Sequence, residues 1–256
     1  MIRILPLLLL TLFLSTGLGL AQEHLTCGVA TGFPPYQFAI DGEPAGFDVD
    51  VAKAVCARLD TPARFEQGDW DNVVNMLLFG RIDLIVGMEI NAFRHEYFEF
   101  SAPYAKRHDV VFVAANSTAT SVEDLFGLVI TGDRHSFVEL LWKKEGIHHK
   151  IRIMQAKTKE ESMDLLARGE TAAAIMPLEV GKYLTRQRGL KIRMLMNPDP
   201  GSEVAIALRK GQPELLKRIN EALLEMQSEG ELSALARKWF SGTAKGRNRI
   251  PPVSRW

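Results

Sequence analysis

Short apolar runs and longer segments of helical spacing alternate along most of this chain, the pattern of strands buried beneath covering helices. Leu25 to Ala30 reads as a first strand, Asp48 to Leu59 as a helix and Ala63 to Glu66 as a second strand. A helix from about Asn72 to Phe79 leads into Ile82, Leu84, Ile85 and Val86, a run apolar enough for a parallel strand covered on both faces. Asp109 to Ala114 is a further β-branched run, and the polar stretch Asn116-Ser-Thr-Ala-Thr120 marks a boundary after it.

A second α/β series follows. Ser121-Val-Glu-Asp124 fits a capped helix start, and a strand is expected near Leu128 to Thr131. Ser136-Phe-Val-Glu139 and Thr158-Lys-Glu-Glu161 are capping-box patterns that open helices, with strands near Ile151 to Met154 and Ala172 to Met176. Glu203 to Leu208 is again a strand, and Pro213 and Ala234 lie in two helical segments that Gly230 separates. With no third apolar core in view, these last helices return to the first unit. The expected fold is therefore α/β, two sheets with flanking helices joined by two hinge crossings near 109–114 and 203–208. Residues 22–112 and 204–240 would form the first lobe and 113–203 the second.

The ends of the chain read differently. Residues 1–21 carry one early positive charge, a short apolar stretch from Ile4 to Leu14 and small residues before a cut after Ala21, as in a cleaved export signal. Residues 241–256 are basic and proline-containing, and read as a disordered tail. Thirty-one basic residues balance 31 acidic ones, so no overall field recruits nucleic acid or an anionic membrane. Two cysteines, Cys27 and Cys56, admit either a bridge or a pair of buried thiols.

The chain lacks a phosphate loop ending in Gly-Lys-Ser/Thr, His-Glu-x-x-His, Gly-x-Ser-x-Gly and Cys-x-x-Cys, and its histidines lack metal-ligand spacing, so no metal or cofactor is expected. The segment with most chemistry is Gly80 to Tyr104. There a buried strand ends in a small-residue loop, Gly87 permits close backbone approach, and Arg94 follows on the next turn. Ligands in open α/β sheets sit beyond the carboxyl ends of strands, where a guanidinium can hold a carboxylate by two parallel hydrogen bonds. A surface ion pair of Arg94 with Glu96 or Glu99 is the competing reading.

Several motifs, in order, resemble the bacterial periplasmic solute-binding proteins of family 3, the amino-acid type of ABC-importer receptor. They are Gly28-Val-Ala-Thr-Gly-Phe-Pro-Pro-Tyr36, Gly46-Phe-Asp-Val-Asp-Val-Ala-Lys53, Gly80 to Met88 with Arg94, Phe100-Ser-Ala-Pro-Tyr104, and Leu208 to Leu216 with Asn220 and Lys238-Trp-Phe240. The resemblance implies the two-lobed periplasmic-binding-protein fold of type II, closing around a ligand between its lobes. It makes Arg94 the clamp for an α-carboxylate, Phe33 and Trp70 the flanking rings, and Ser136 with His135 the helix start facing the ligand from the second lobe. It also implies a monomer in the periplasm, with an inner-membrane permease complex as partner.

Departures from the family pattern carry information too. Glu89 stands where relatives have Ser or Thr, close enough in sequence to occupy Arg94 itself. Pro177 stands near the place of the aspartate that pairs an α-ammonium group; Glu179 would substitute from the next turn, or face solvent at the helix start. Ala30 replaces an acidic residue found in receptors for cationic side chains. Together these changes argue against an ordinary α-amino acid. The function expected is a periplasmic receptor that closes around a small polar or amphipathic solute, serving an ABC-type importer of amino acids or related compounds. Alternatives are an accessory or sensor protein of a periplasmic system, and an enzyme of the cyclohexadienyl-dehydratase kind, with Glu89 or Glu179 as acid or base.

Overall fold

Strand β1 (Leu25–Ala30) buries Cys27 and Val29 completely, and its neighbours are drawn in by the same apolar need. A small hairpin of β2 (Phe38–Ile40) and β3 (Glu43–Ala45) follows, then α1 (Phe47–Arg58), β4 (Ala63–Gly68), α2 (Trp70–Leu78) and β5 (Leu84–Glu89). The one-turn helix α3 (Ala92–His95) precedes β6 (Phe98–Phe100) and β7 (Ala105–Arg107). The computed structural model describes residues 24–133, 136–196 and 199–240. The expected export signal, the basic tail and His135 lie outside them.

Past His108 the chain enters a second sheet. Its elements are β8 (Asp109–Ala114), β9 (Val129–Thr131), α4 (Phe137–Lys144), β10 (Arg152–Met154), α5 (Lys159–Ala167), β11 (Ala173–Pro177), α6 (Leu178–Gln187) and β12 (Ile192–Met196). β13 (Ser202–Arg209), α7 (Pro213–Ser228) and α8 (Glu231–Phe240) then return to the first sheet. The first sheet runs β4-β1-β5-β13-β6, with β7 also pairing β13, and the second runs β10-β9-β11-β8-β12.

Both sheets are mixed. β1 is parallel to β4 and β5, whereas β13, coming back from the other sheet, runs antiparallel to β5. In the second sheet β8 runs antiparallel to both β11 and β12. β8 pairs wholly within the second sheet and β13 wholly within the first, so the chain crosses at His108 and again around 199–201, outside the two strands expected to carry the crossings.

Helix α1 buries seven of its twelve residues, since the first sheet lies on one side and α7 and α8 on another, and leaves Lys53 and Ala57 exposed. Asp69 caps α2 by accepting from the Asn72 N–H at 2.9 Å, and Val73 and Leu77 turn one face onto the sheet. Each such side chain contributes about 1.5–3 kcal/mol of burial energy. The helix expected after Ser121 shrinks to a single 3-10 turn, Glu123–Leu125. The Asp124 carboxylate accepts from the Thr120 and Ser121 N–H groups, and Phe126 is already extended. Cys27 and Cys56 are free buried thiols with their sulfurs 3.9 Å apart.

Candidate ligand-binding site

A cavity of about 590 Å³ lies between the two sheets, at the carboxyl ends of β1, β5, β9 and β11. That volume is in the range of small-molecule sites. From the first sheet's side it is walled by Phe33 after β1, Trp70 at the start of α2, Gly87 and Glu89 at the end of β5, and Arg94 on α3. From the second side come Asp109, Asp133, Ser136, Thr158 and Lys159, with Pro177 at the end of β11.

Arg94 is placed by local chemistry. Asn91 caps α3, its side chain accepting from the Arg94 N–H at 2.8 Å, and this turns the arginine back over β5. Arg94 Nη1 donates to the Glu89 carbonyl oxygen at 2.7 Å, while the Glu89 carboxylate stands 4.0 Å away, at the outer limit of an ion pair. Both side chains are 15% exposed. Arg94 therefore spends one nitrogen on a backbone oxygen and keeps the rest of its fork for the cavity. Its guanidinium carbon lies 5.5 Å from the Trp70 ring centre, so the indole forms one wall beside the cation. Burial pushes Arg94 below its ordinary pKa, and Glu89 is the strongest influence holding it up.

Beneath Arg94 lies a second, buried guanidinium. Arg107, 3% exposed at the end of β7, donates to the Gly87 carbonyl at 2.8 Å and pairs with Asp48 of α1, which is fully buried. Asp48 also accepts from the Tyr104 hydroxyl and from the Gln37 amide, both at 2.7 Å. Gln37 in turn accepts the Ala30 N–H at 2.6 Å and donates to Val86 O at 3.0 Å. The Tyr36 ring lies 4.1 Å from the Arg107 guanidinium and the Phe33 ring 5.2 Å. This network ties β1, β5, β7 and α1 together immediately before the first crossing. It also explains Gly87, whose φ is +79°. A Cβ there would stand 2.2 Å from Asp48 Oδ2, so the glycine serves the buried carboxylate as well as the cavity wall.

Across the cleft, Ser136 and Thr158 cap α4 and α5, accepting the N–H groups of Glu139 and Glu161. Lys159 is paired with Asp133 at 2.5 Å, and its own N–H reaches the Gly32 carbonyl of the opposite side at 3.3 Å. The two sides touch tightly here: a Cβ on Gly32, φ +70°, would lie 2.8 Å from Thr158 Cβ. Asp109 is only 4% exposed. Burial, reinforced by Glu89, holds its carboxyl well above the usual range, with Lys159 opposing.

Of the residues singled out from sequence, Phe33, Trp70, Gly87, Glu89, Arg94 and Ser136 all line this one cavity. Glu179 does not line it; its Oε1 accepts from Lys182 Nζ at 2.9 Å on its own helix. Sequence reasoning missed Arg107, Asp109 and Lys159. The signal for the first two was present in Lys106-Arg-His-Asp109, a charged run set directly against the fully apolar Val110 to Val113. Charges adjoining a buried strand must find partners or a cavity.

Known proteins place the chain in a family. Residues 25–242 match the model of the bacterial extracellular solute-binding proteins, family 3. The chain is 25% identical over 226 residues to ABC transporter arginine-binding protein 1 of Escherichia coli K12, covering 86% of this chain and 92% of that protein. It is 26% identical to the L-cystine-binding protein TcyJ of the same organism, covering 84% of this chain and 82% of that protein. Among solved structures, an ancestral arginine-binding protein bound to arginine is 30% identical with a TM-score of 0.79, covering 85% of this chain and 98% of that one. The cleft between two mixed sheets, the rings and guanidinium at the strand ends, and a family match across nearly all the described residues make this chain a member of the bacterial extracellular solute-binding proteins, family 3.

Proposed function

We propose that this protein is an exported receptor whose two lobes close over a small amphipathic solute of the amino-acid class and present it to an ABC importer in the membrane. It acts by binding, without chemistry on its ligand. The observation that carries the reading is the cavity itself: Arg94 offers free N–H donors to an anion, with Trp70 and Phe33 beside it for apolar contact. Two crossings near each other, at His108 and 199–201, supply the hinge such closure requires. The proposed compartment is the periplasm, reached by the signal expected in residues 1–21. Relatives named for arginine and cystine support an amino-acid ligand, against the expectation drawn from Glu89, Pro177 and Ala30, and leave its side chain open. A thermal-shift screen of amino acids, organic acids, amines and sugars tests this, because a ligand that binds only the folded form raises its melting temperature. Stabilisation by amino acids supports the reading, and stabilisation by sugars alone would overturn it.

A further inference from the structure

We propose that Asp109 is the seat for a cationic group of the ligand, so that the solute carries an ammonium or guanidinium together with the anion taken by Arg94. The inference rests on the receptor function above and narrows its ligand class.

Asp109 opens β8 and faces the cavity from the second sheet. Among the described residues its carboxylate accepts no hydrogen bond and forms no ion pair. The other acidic side chains of the lining are otherwise placed. Glu89 stands beside Arg94, Asp133 is paired with Lys159, Asp69 caps α2, and Asp71 is exposed to water. Among the described residues Asp109 is thus the most deeply buried carboxylate of the lining, and no hydrogen bond or ion pair engages it. Its backbone is held firmly, with the Asp109 N–H donating to Asp199 Oδ2 at 2.9 Å.

Register explains why a charge sits there. Asp109 lies directly opposite Pro177 in the antiparallel pair of β8 and β11. Directly opposed residues send their side chains to the same face. Pro177 is uncharged, and the carboxylate of this wall comes from the neighbouring strand.

The charges around Asp109 are Glu89 from β5, Asp133 after β9, Asp199 from the return crossing, Lys159 from α5 and Arg94 from α3. Lys159 is engaged by Asp133, and Arg94 lies beside Glu89. Removing Arg107, whose charge Asp48 holds, the described lining keeps five carboxylates against three cations, an excess that favours a ligand with positive charge. A solute lacking a cation leaves Asp109 desolvated and unpaired, whereas one carrying an ammonium or guanidinium supplies its missing partner.

The test is calorimetry with matched probes: each amino acid, the 2-hydroxy acid that replaces its ammonium by hydroxyl, and the amine that lacks its carboxylate. Wild-type protein should bind its best amino acid roughly tenfold or more tightly than the matching hydroxy acid, and Asp109→Asn should abolish that preference. Wild-type protein that binds the hydroxy acid as tightly as the amino acid overturns the proposal and leaves the receptor function standing, and this comparison does not depend on the variant folding. An Asp109→Asn protein that folds and keeps the full preference also overturns it. Wild-type protein that binds none of the probes sinks both readings together.

Discussion

Removing the Arg107 guanidinium should cost this protein a large share of its stability, although Arg107 lies at the floor of a ligand cavity. In Arg107→Met the Asp48 carboxylate keeps the Tyr104 hydroxyl and the Gln37 amide but loses its cation, at a site with no solvent to replace it. Breaking a buried pair from one side costs about 3–5 kcal/mol, because the remaining charge is stranded. A chain of this size loses roughly 2–4 °C of melting temperature per kcal/mol, so the variant should melt about 6–20 °C lower. Arg64→Met supplies the contrast, since its pair with Glu66 is 61% and 37% exposed and its loss should stay within about 1 kcal/mol. Circular-dichroism melts and urea titrations of both variants decide the matter. Adding Asp48→Asn to Arg107→Met removes the stranded charge and should restore part of the loss. An Arg107→Met protein that melts no lower than Arg64→Met would refute the claim that this pair holds the base of the cleft.

Three other outcomes follow from the same geometry. Gly87→Ala forces a Cβ against Asp48 at positive φ, so it should destabilise by at least about 1–3 kcal/mol in a urea titration; an unperturbed midpoint would contradict the packing described. Glu89→Gln removes the carboxylate facing Arg94 and should tighten carboxylate ligands severalfold, whereas weaker binding would show that Glu89 itself holds ligand. Asp109 has a folded pKa raised above its unfolded value, so the folded state binds more protons between the two and stability falls as pH rises from about 4 upward. In ligand-free protein Asp109→Asn should therefore flatten that decline, and parallel melting-temperature profiles would refute it.

Much of this architecture was legible in the chain because its central strands are long apolar runs. Val110 to Val113 and Ala205 to Leu208 could hardly be placed anywhere but a core, and the caps at Ser136 and Thr158 form as their spacing predicts. What escaped was short or polar. β2, β3, β6, β7 and β12 span only three to five residues and were not distinguished, whereas β9 and β10, equally short, were expected between their flanking helices. The site was half legible for a similar reason. Glu89 and Arg94 come close to one another through a local turn, whereas the pairing of Arg107 with Asp48 spans a sequence separation of 59 and depends on β7 meeting β13. The charged run before Val110 marks Asp109 as unusual, but its register opposite Pro177 is encoded by no local pattern.

The account turns on Arg94 as the anion clamp of the cleft, and titrating wild-type and Arg94→Ala protein by calorimetry with the amino acid that stabilises the wild type most is its most direct test. Saturable wild-type binding with a loss of about 2–5 kcal/mol in the variant is the predicted result. Equal affinity in the two proteins, or no binding of any amino acid to the wild type, would contradict it.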